Sequence, residues 1–260
     1  MELNLAGRTA LVTGASKGIG LGIARRFAQE GCNLVLAART AASLEAAADS
    51  IRKSAQVNVR AVPLDLARQE DRDRLVAAAP DIDILVNNAG AIPGGDIFAV
   101  DDAAWRTGWE LKVFGYVNLT RAYFARMKER KRGVIINICG AGGETLSAGY
   151  IAGAAGNASL MAFSRALGGS SIDFGIRVVA VNPGPVQTDR VVYLAKERAR
   201  RVHGDESRWQ EHFHGMPYGR AADVDEIAPM VVFLASDRAS YISGTVVTID
   251  GGIANRRPER

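Results

Sequence analysis

The chain has 260 residues, 48% of them hydrophobic, which is enough apolar material for the core of one large domain and excludes wholesale disorder. Lysine and arginine number 32 against 28 acidic residues, and the resulting +4 forms no basic stripe with interleaved aromatics; an anionic substrate suits it, a nucleic-acid partner does not. Apolar runs stay well short of the ~20 residues of a membrane span, and Met1-Glu2-Leu3-Asn4-Leu5 lacks an export pattern, so a cytoplasmic protein with no membrane partner is expected.

In chain order, short β-branched runs alternate with stretches of helical spacing. Runs 9–12, 33–37, 57–62, 82–86, 134–138, 177–181 and 246–249 read as seven strands, and their near-continuous apolarity suits a parallel sheet covered on both faces. Residues 20–30, 41–53, 71–79, 101–129, 152–174 and 223–236 read as helices; in the first, Ile23, Ala24, Phe27 and Ala28 share one face and Gly31 is placed to end it. This rhythm predicts an α/β, Rossmann-type doubly wound sheet filling a single domain, 1–260. The polar stretch 188–216, rich in Arg and His, is the candidate substrate lid. Cys32 and Cys139 read as buried small hydrophobes, and His203, His212 and His214 are too dispersed to suggest a metal.

The turn Gly14-Ala15-Ser16-Lys17-Gly18-Ile19-Gly20 follows the first strand and opens the first helix, the context that makes a glycine pattern a dinucleotide site. Its glycines allow a diphosphate to approach the free amides of the helix start. At the end of the second strand, an acidic residue would bond ribose hydroxyls, but Arg39 stands there. With Lys17 it offers two cations to a 2′-phosphate, which favours NADP over NAD.

Four motifs in order, Thr13 to Gly20, Asn87-Asn88-Ala89-Gly90, Asn182-Pro183-Gly184, and Ser240 to Gly244 with Asp250-Gly251-Gly252, resemble the short-chain dehydrogenase/reductase family from about Leu5 to Gly252. The resemblance implies seven strands and oxidoreductase activity on a small molecule. It implies that Asp65 and Leu66 contact the adenine, that Asn88, Ala89 and Gly90 line the adenosine side, and that Pro183, Gly184, Val186 and Thr188 hold the nicotinamide amide. A homo-tetramer or homo-dimer is the family's usual assembly.

The family's catalytic Asn, Ser, Tyr and Lys do not reappear. In an ungapped frame Asn157 takes the Lys position, Gly153 the Tyr, Gly140 the Ser and Lys112 the Asn. Lys112 is thus a relocated cation able to act as acid or base; the competing expectation is that it pairs with Glu110 or Glu144, or reaches out to solvent. Tyr150, one helical turn before Gly153, is the one phenol nearby, with Thr145 and Ser147 as weaker stand-ins for the hydroxyl. Gly140, Gly142, Gly143, Gly149, Gly153 and Gly156 suggest a roomy site suited to a bulky substrate. The leading expectation is an NADP-dependent oxidoreductase; the rivals are a non-redox enzyme and a silent dinucleotide-binding protein on the same scaffold.

Overall fold

The computed structural model describes residues 1–256, apart from the side chains at 190, 194, 197, 198 and 201. Strands β1 (Thr9–Thr13), β2 (Asn33–Ala38), β3 (Val59–Pro63), β4 (Ile84–Asn87), β5 (Gly133–Ile138), β6 (Ile176–Pro183) and β7 (Val246–Ile249) form one parallel sheet ordered β3-β2-β1-β4-β5-β6-β7. Leu11 pairs with Val35 on one side and Leu85 on the other, and Ile136 with Val86 and Val179, so central strands are buried on both faces as their apolar runs demand.

The helices are α1 (Gly18–Gln29), α2 (Ala41–Arg52), α3 (Gln69–Ala78), α4 (Asp102–Trp109), α5 (Gly115–Arg130), α6 (Gly142–Thr145), α7 (Ile151–Ser171), α8 (Asp189–His203) and α9 (Val224–Ala235). Alternate strand residues feed opposite layers. Ala10, Val12, Leu34 and Leu36 pack with Phe27 of α1, Leu44 of α2 and Val231 of α9. Leu11, Val35 and Leu85 pack on the other side with Leu75 of α3 and Leu119, Tyr123 and Met127 of α5. Connections diverge between β1 and β4, which opens a crevice at their C-terminal ends.

Two segments depart from expectation. The helix expected over 101–129 is broken by a π-helical turn, Glu110–Phe114, between α4 and α5. Such a turn inserts an extra residue and re-aims its side chains, which periodicity cannot reveal. The stretch 188–216 holds α8 and a 3₁₀ run, Glu206–Phe213, folded around Phe213, Ala195 and Ala221. Both thiols are free and buried. No helix among the described residues is long and apolar enough to cross a membrane.

Candidate active site

At the crevice, Gly14 and Gly18 have φ of +66° and +57°, conformations that favour glycine. A Cβ on Gly20 would lie 2.4 Å from the Gly14 carbonyl oxygen, so the third glycine lets α1 start against the turn. No carboxylate occupies the first turn of α1, and its leading amides have no intrahelical acceptor, which leaves that end electropositive. The neighbouring strand end is laced to the turn by Thr13. Its Oγ1 accepts from the amides of Asn88 (2.8 Å) and Ala89 (3.0 Å) and donates to Val86 O (3.3 Å), while Asn88 Nδ2 donates to Thr13 O at 3.0 Å.

The turn opens into a cavity of about 740 Å³, a size suited to a cofactor. Twelve of the residues expected at the dinucleotide line it: Gly14, Ser16, Lys17, Gly18, Ile19, Arg39, Asp65, Leu66, Asn88, Ala89, Gly90 and Thr188. Lys17 and Arg39 stand exposed at its rim. Gly20, Pro183, Gly184 and Val186 are outside the lining. Gly20 is buried under the turn, Val186 is buried and bridged to Ala222, and Gly184 packs against Asp250, where a Cβ would meet the Asp250 Cα at 2.9 Å. Leu111 and, from α8, Asp189 and Tyr193 also line the cavity. Sequence reasoning missed them because the π turn and α8 that present them were not foreseen.

Lys112 sits in the π turn with its stem along Gly90, and its Nζ donates to Cys139 O at 2.8 Å. The two carboxylates weighed as its partners have others: Glu110 meets Arg72 at 3.3 Å, and Glu144 accepts from Thr248 Oγ1 at 3.0 Å. Burial pushes the Cys139 thiol up to about 12 against the opposing pull of the Lys112 charge, so this thiol is not a nucleophile at neutral pH.

Tyr150 folds back over Gly153. A Cβ built there would lie 2.0, 2.2 and 2.5 Å from its Cζ, Cε1 and Cε2, so the ring occupies the root of the missing side chain. The loop is fixed by Gly95 N donating to Gly149 O (3.0 Å) and Ile151 N donating to Gly95 O (3.3 Å). Tyr116, whose hydroxyl donates to Ile138 O at 3.1 Å, is raised well above the usual phenol range by burial and then by Cys139 and Tyr150.

Asn157 is 2% exposed, with Nδ2 3.1 Å from where a Cβ on Gly140 would be. Among the described residues its Oδ1 has no hydrogen-bond partner, an arrangement costing about 1–3 kcal/mol where nothing else answers it. The expected roominess is not present: Tyr150 fills the space over Gly142 and Gly153, Asn157 that over Gly140 and Gly143, and Ile92, Val113 and Trp109 that over Gly156. Gly149 is the least crowded of the six, with Ser147 Oγ 3.7 Å from where its Cβ would be. Thr145 spends its hydroxyl on Ala141 O, and Ser147 is exposed.

Behind the site lies a polar network that sequence reasoning passed over. Asn87 Nδ2 donates to Asn137 Oδ1 (2.9 Å) and Thr120 Oγ1 (3.1 Å), and Asn137 Nδ2 donates to Ser164 Oγ (2.9 Å). Asn182 Oδ1 holds the Gly140 amide at 2.9 Å. The signal was an Asn near the C-terminal end of each of three apolar strands. His203 is 4.0 Å from Glu211 within the stretch 188–216, and no group of three or more His, Cys, Asp or Glu among the described residues could hold a metal.

A family model described as enoyl-(acyl carrier protein) reductase matches residues 14–254. The 3-oxoacyl-(acyl-carrier-protein) reductase FabG of Chlamydia trachomatis is 31% identical over 254 residues, covering 96% of this chain and 98% of that protein. The galactitol 2-dehydrogenase (L-tagatose-forming) of Cereibacter sphaeroides is 32% identical over 250 residues, 95% of each. The structure of L-sorbose reductase from Gluconobacter frateurii, complexed with NADPH and L-sorbose, superposes with a TM-score of 0.93 at 35% identity and covers 99% of this chain and 100% of that one.

Proposed function

The chain belongs to the short-chain dehydrogenase/reductase family, and on that premise we propose that it is an NADP-dependent oxidoreductase that reduces a carbonyl or oxidises an alcohol of a small molecule with a rearranged acid/base set. The observation that carries this reading is the cavity of about 740 Å³ at the sheet's switch point, floored by the glycine turn and rimmed by Lys17 and Arg39. The NADPH bound in the similar sorbose reductase supports it.

When bound, the dinucleotide supplies or accepts the hydride. The α1 amides hold the diphosphate, Lys17 and Arg39 the 2′-phosphate, Asp65 and Leu66 the adenine, and the segment from Pro183 to Thr188 the nicotinamide amide. Lys112 is the proton donor to a forming alkoxide, or its acceptor in the reverse direction, with its stem fixed along Gly90 and its ammonium on Cys139 O. The reduction takes up one proton, which Lys112 gives and solvent returns to it; Tyr150 donates a hydrogen bond that orients the same oxygen, and Asn157 holds the wall that faces them. The segment 188–216 closes the substrate side, Thr188, Asp189 and Tyr193 being its cavity-lining residues. We place the enzyme in the cytoplasm, as a homo-tetramer or homo-dimer.

The test is NADPH consumption against ketones and aldehydes, with NADH in parallel and Lys112→Ala and Tyr150→Phe beside the wild type. The reading expects turnover preferring NADPH, a loss of roughly 10²–10⁴-fold in kcat for Lys112→Ala, and a smaller loss for Tyr150→Phe. Full activity in Lys112→Ala would end the relocated-cation mechanism, and a protein that binds NADPH without turnover would end the enzymatic one.

A further inference from the structure

Arg72, on α3, is 6% exposed. A buried guanidinium is tolerated only where its charge is answered. Here Nη1 donates to Leu66 O at 2.8 Å and Ala67 O at 3.0 Å, and meets Glu110 Oε1 at 3.3 Å. The carbonyls belong to the segment between β3 and α3, and the carboxylate to the first residue of the π turn. Each partner adjoins the cofactor cavity: Leu66 lines one wall, and Leu111, next to Glu110, lines another. The two segments approach closely at Gly115, where a Cβ would lie 3.6 Å from Leu66 O and 3.4 Å from Glu110 O.

The π turn departs from the ordinary α-helical register of the helices on either side of it, and in that register Lys112 would be aimed differently. A contact that favours one register therefore sets where the ammonium lies. We propose that Arg72 is a positioning residue that ties the adenine-side wall to the π turn, so that seating a dinucleotide against Leu66 fixes the register that holds Lys112. The proposal rests on the cofactor reading above and adds a route by which cofactor occupancy prepares the acid/base group.

The experiment uses the full chain, NADPH, and the variants Arg72→Met and Glu110→Gln, with hydrogen exchange across residues 110–116, NADPH affinity by fluorescence, and kcat at saturating NADPH. In the wild type, NADPH slows exchange across 110–116; in Arg72→Met that slowing is lost while β5 keeps its protection, which shows that the variant is folded. Arg72→Met weakens NADPH by about tenfold, the scale of a lost charge-assisted hydrogen bond. Its kcat at saturation falls by about tenfold to a hundredfold, the scale of a displaced catalytic group. Glu110→Gln, which leaves both carbonyl bonds in place, keeps NADPH affinity within about twofold but shares the loss in kcat. A merely structural Arg72 would leave kcat at saturation and the exchange response unchanged, and that result overturns the proposal. Failure of the wild type to bind NADPH removes the cofactor reading and this proposal together, whereas NADPH binding with unaltered 110–116 exchange in Arg72→Met removes this proposal alone.

Discussion

Gly153→Ala tests whether Tyr150 has taken over the space of the residue one turn later. The new methyl carbon would lie 2.0 Å from Tyr150 Cζ. Carbon atoms pack at about 3.5 Å, so the ring must retreat by roughly 1.5 Å. Overpacking of this kind costs about 1–3 kcal/mol, and with a 2.0 Å approach the upper half of that range applies; alanine in a helix returns about 0.5–1 kcal/mol over glycine, which leaves a net loss of about 1–2.5 kcal/mol. In a Tyr150→Ala background the clash is gone, and the same substitution should stabilise by about 0.5–1 kcal/mol. In Tyr150→Phe the ring remains, and the loss should return in full. Urea unfolding followed by tryptophan fluorescence at one protein concentration measures all three backgrounds. The sign reversal is the diagnostic result. Coupling below about 0.5 kcal/mol between positions 150 and 153 would show that the ring does not occupy this space and refute the reasoning.

Two further predictions concern the frame. Thr13→Val leaves the amides of Asn88 and Ala89 without the buried hydroxyl they share, and should cost about 2–4 kcal/mol on the scale of unmatched buried groups, with weakened NADPH binding. Thr13→Ser should recover most of both, and a silent Thr13→Val in denaturation and NADPH titration would show that the strand ends are held otherwise. At the exposed N-terminus of α9, hydrogen bonding from Arg220 and then from the Asp223 amide lowers the Glu226 carboxyl from 4.5 to about 2. A carboxylate lowered in the folded state contributes stability that is complete above pH 4.5 and disappears as pH falls through 2. Glu226→Gln should therefore flatten the acid limb of the stability profile in that window, and an unchanged limb would assign acid lability to other groups.

The sheet and its crossovers were legible because a buried parallel strand needs an unbroken apolar run, and seven such runs stand at regular intervals. The glycine turn was legible because two positive-φ residues and one close approach leave few other residue types possible. Helix α8 was not, because polar residues dominate its composition; among the described residues, its Val191 and Ala195 pack with Phe213, Ala221, Trp209 and Met216. The π turn was hidden for a different reason: one added residue in a helix alters no residue type, only the direction in which Leu111 and Lys112 point. The expected space above the glycines failed because a glycine count records missing side chains and not which neighbours lean in.

That last failure gives the substituted positions a common logic. Lys112 lies along Gly90, where an added Cβ would come 2.8 Å from its Cδ; Asn157 lies against Gly140 at 3.1 Å; Tyr150 lies on Gly153 at 2.0 Å. Each polar side chain of the set proposed above thus rests on a glycine, and two of those glycines, Gly153 and Gly140, stand where the ungapped frame expects the family's Tyr and Ser. The substitutions are therefore matched pairs, and the energy of each member depends on its partner. A tyrosine placed at 153 alone would be driven into Tyr150, and a serine at 140 alone would crowd Asn157. An exchange that moves both members of a pair, Gly153→Tyr with Tyr150→Gly or Gly140→Ser with Asn157→Lys, removes the side chain that now fills the space over the glycine.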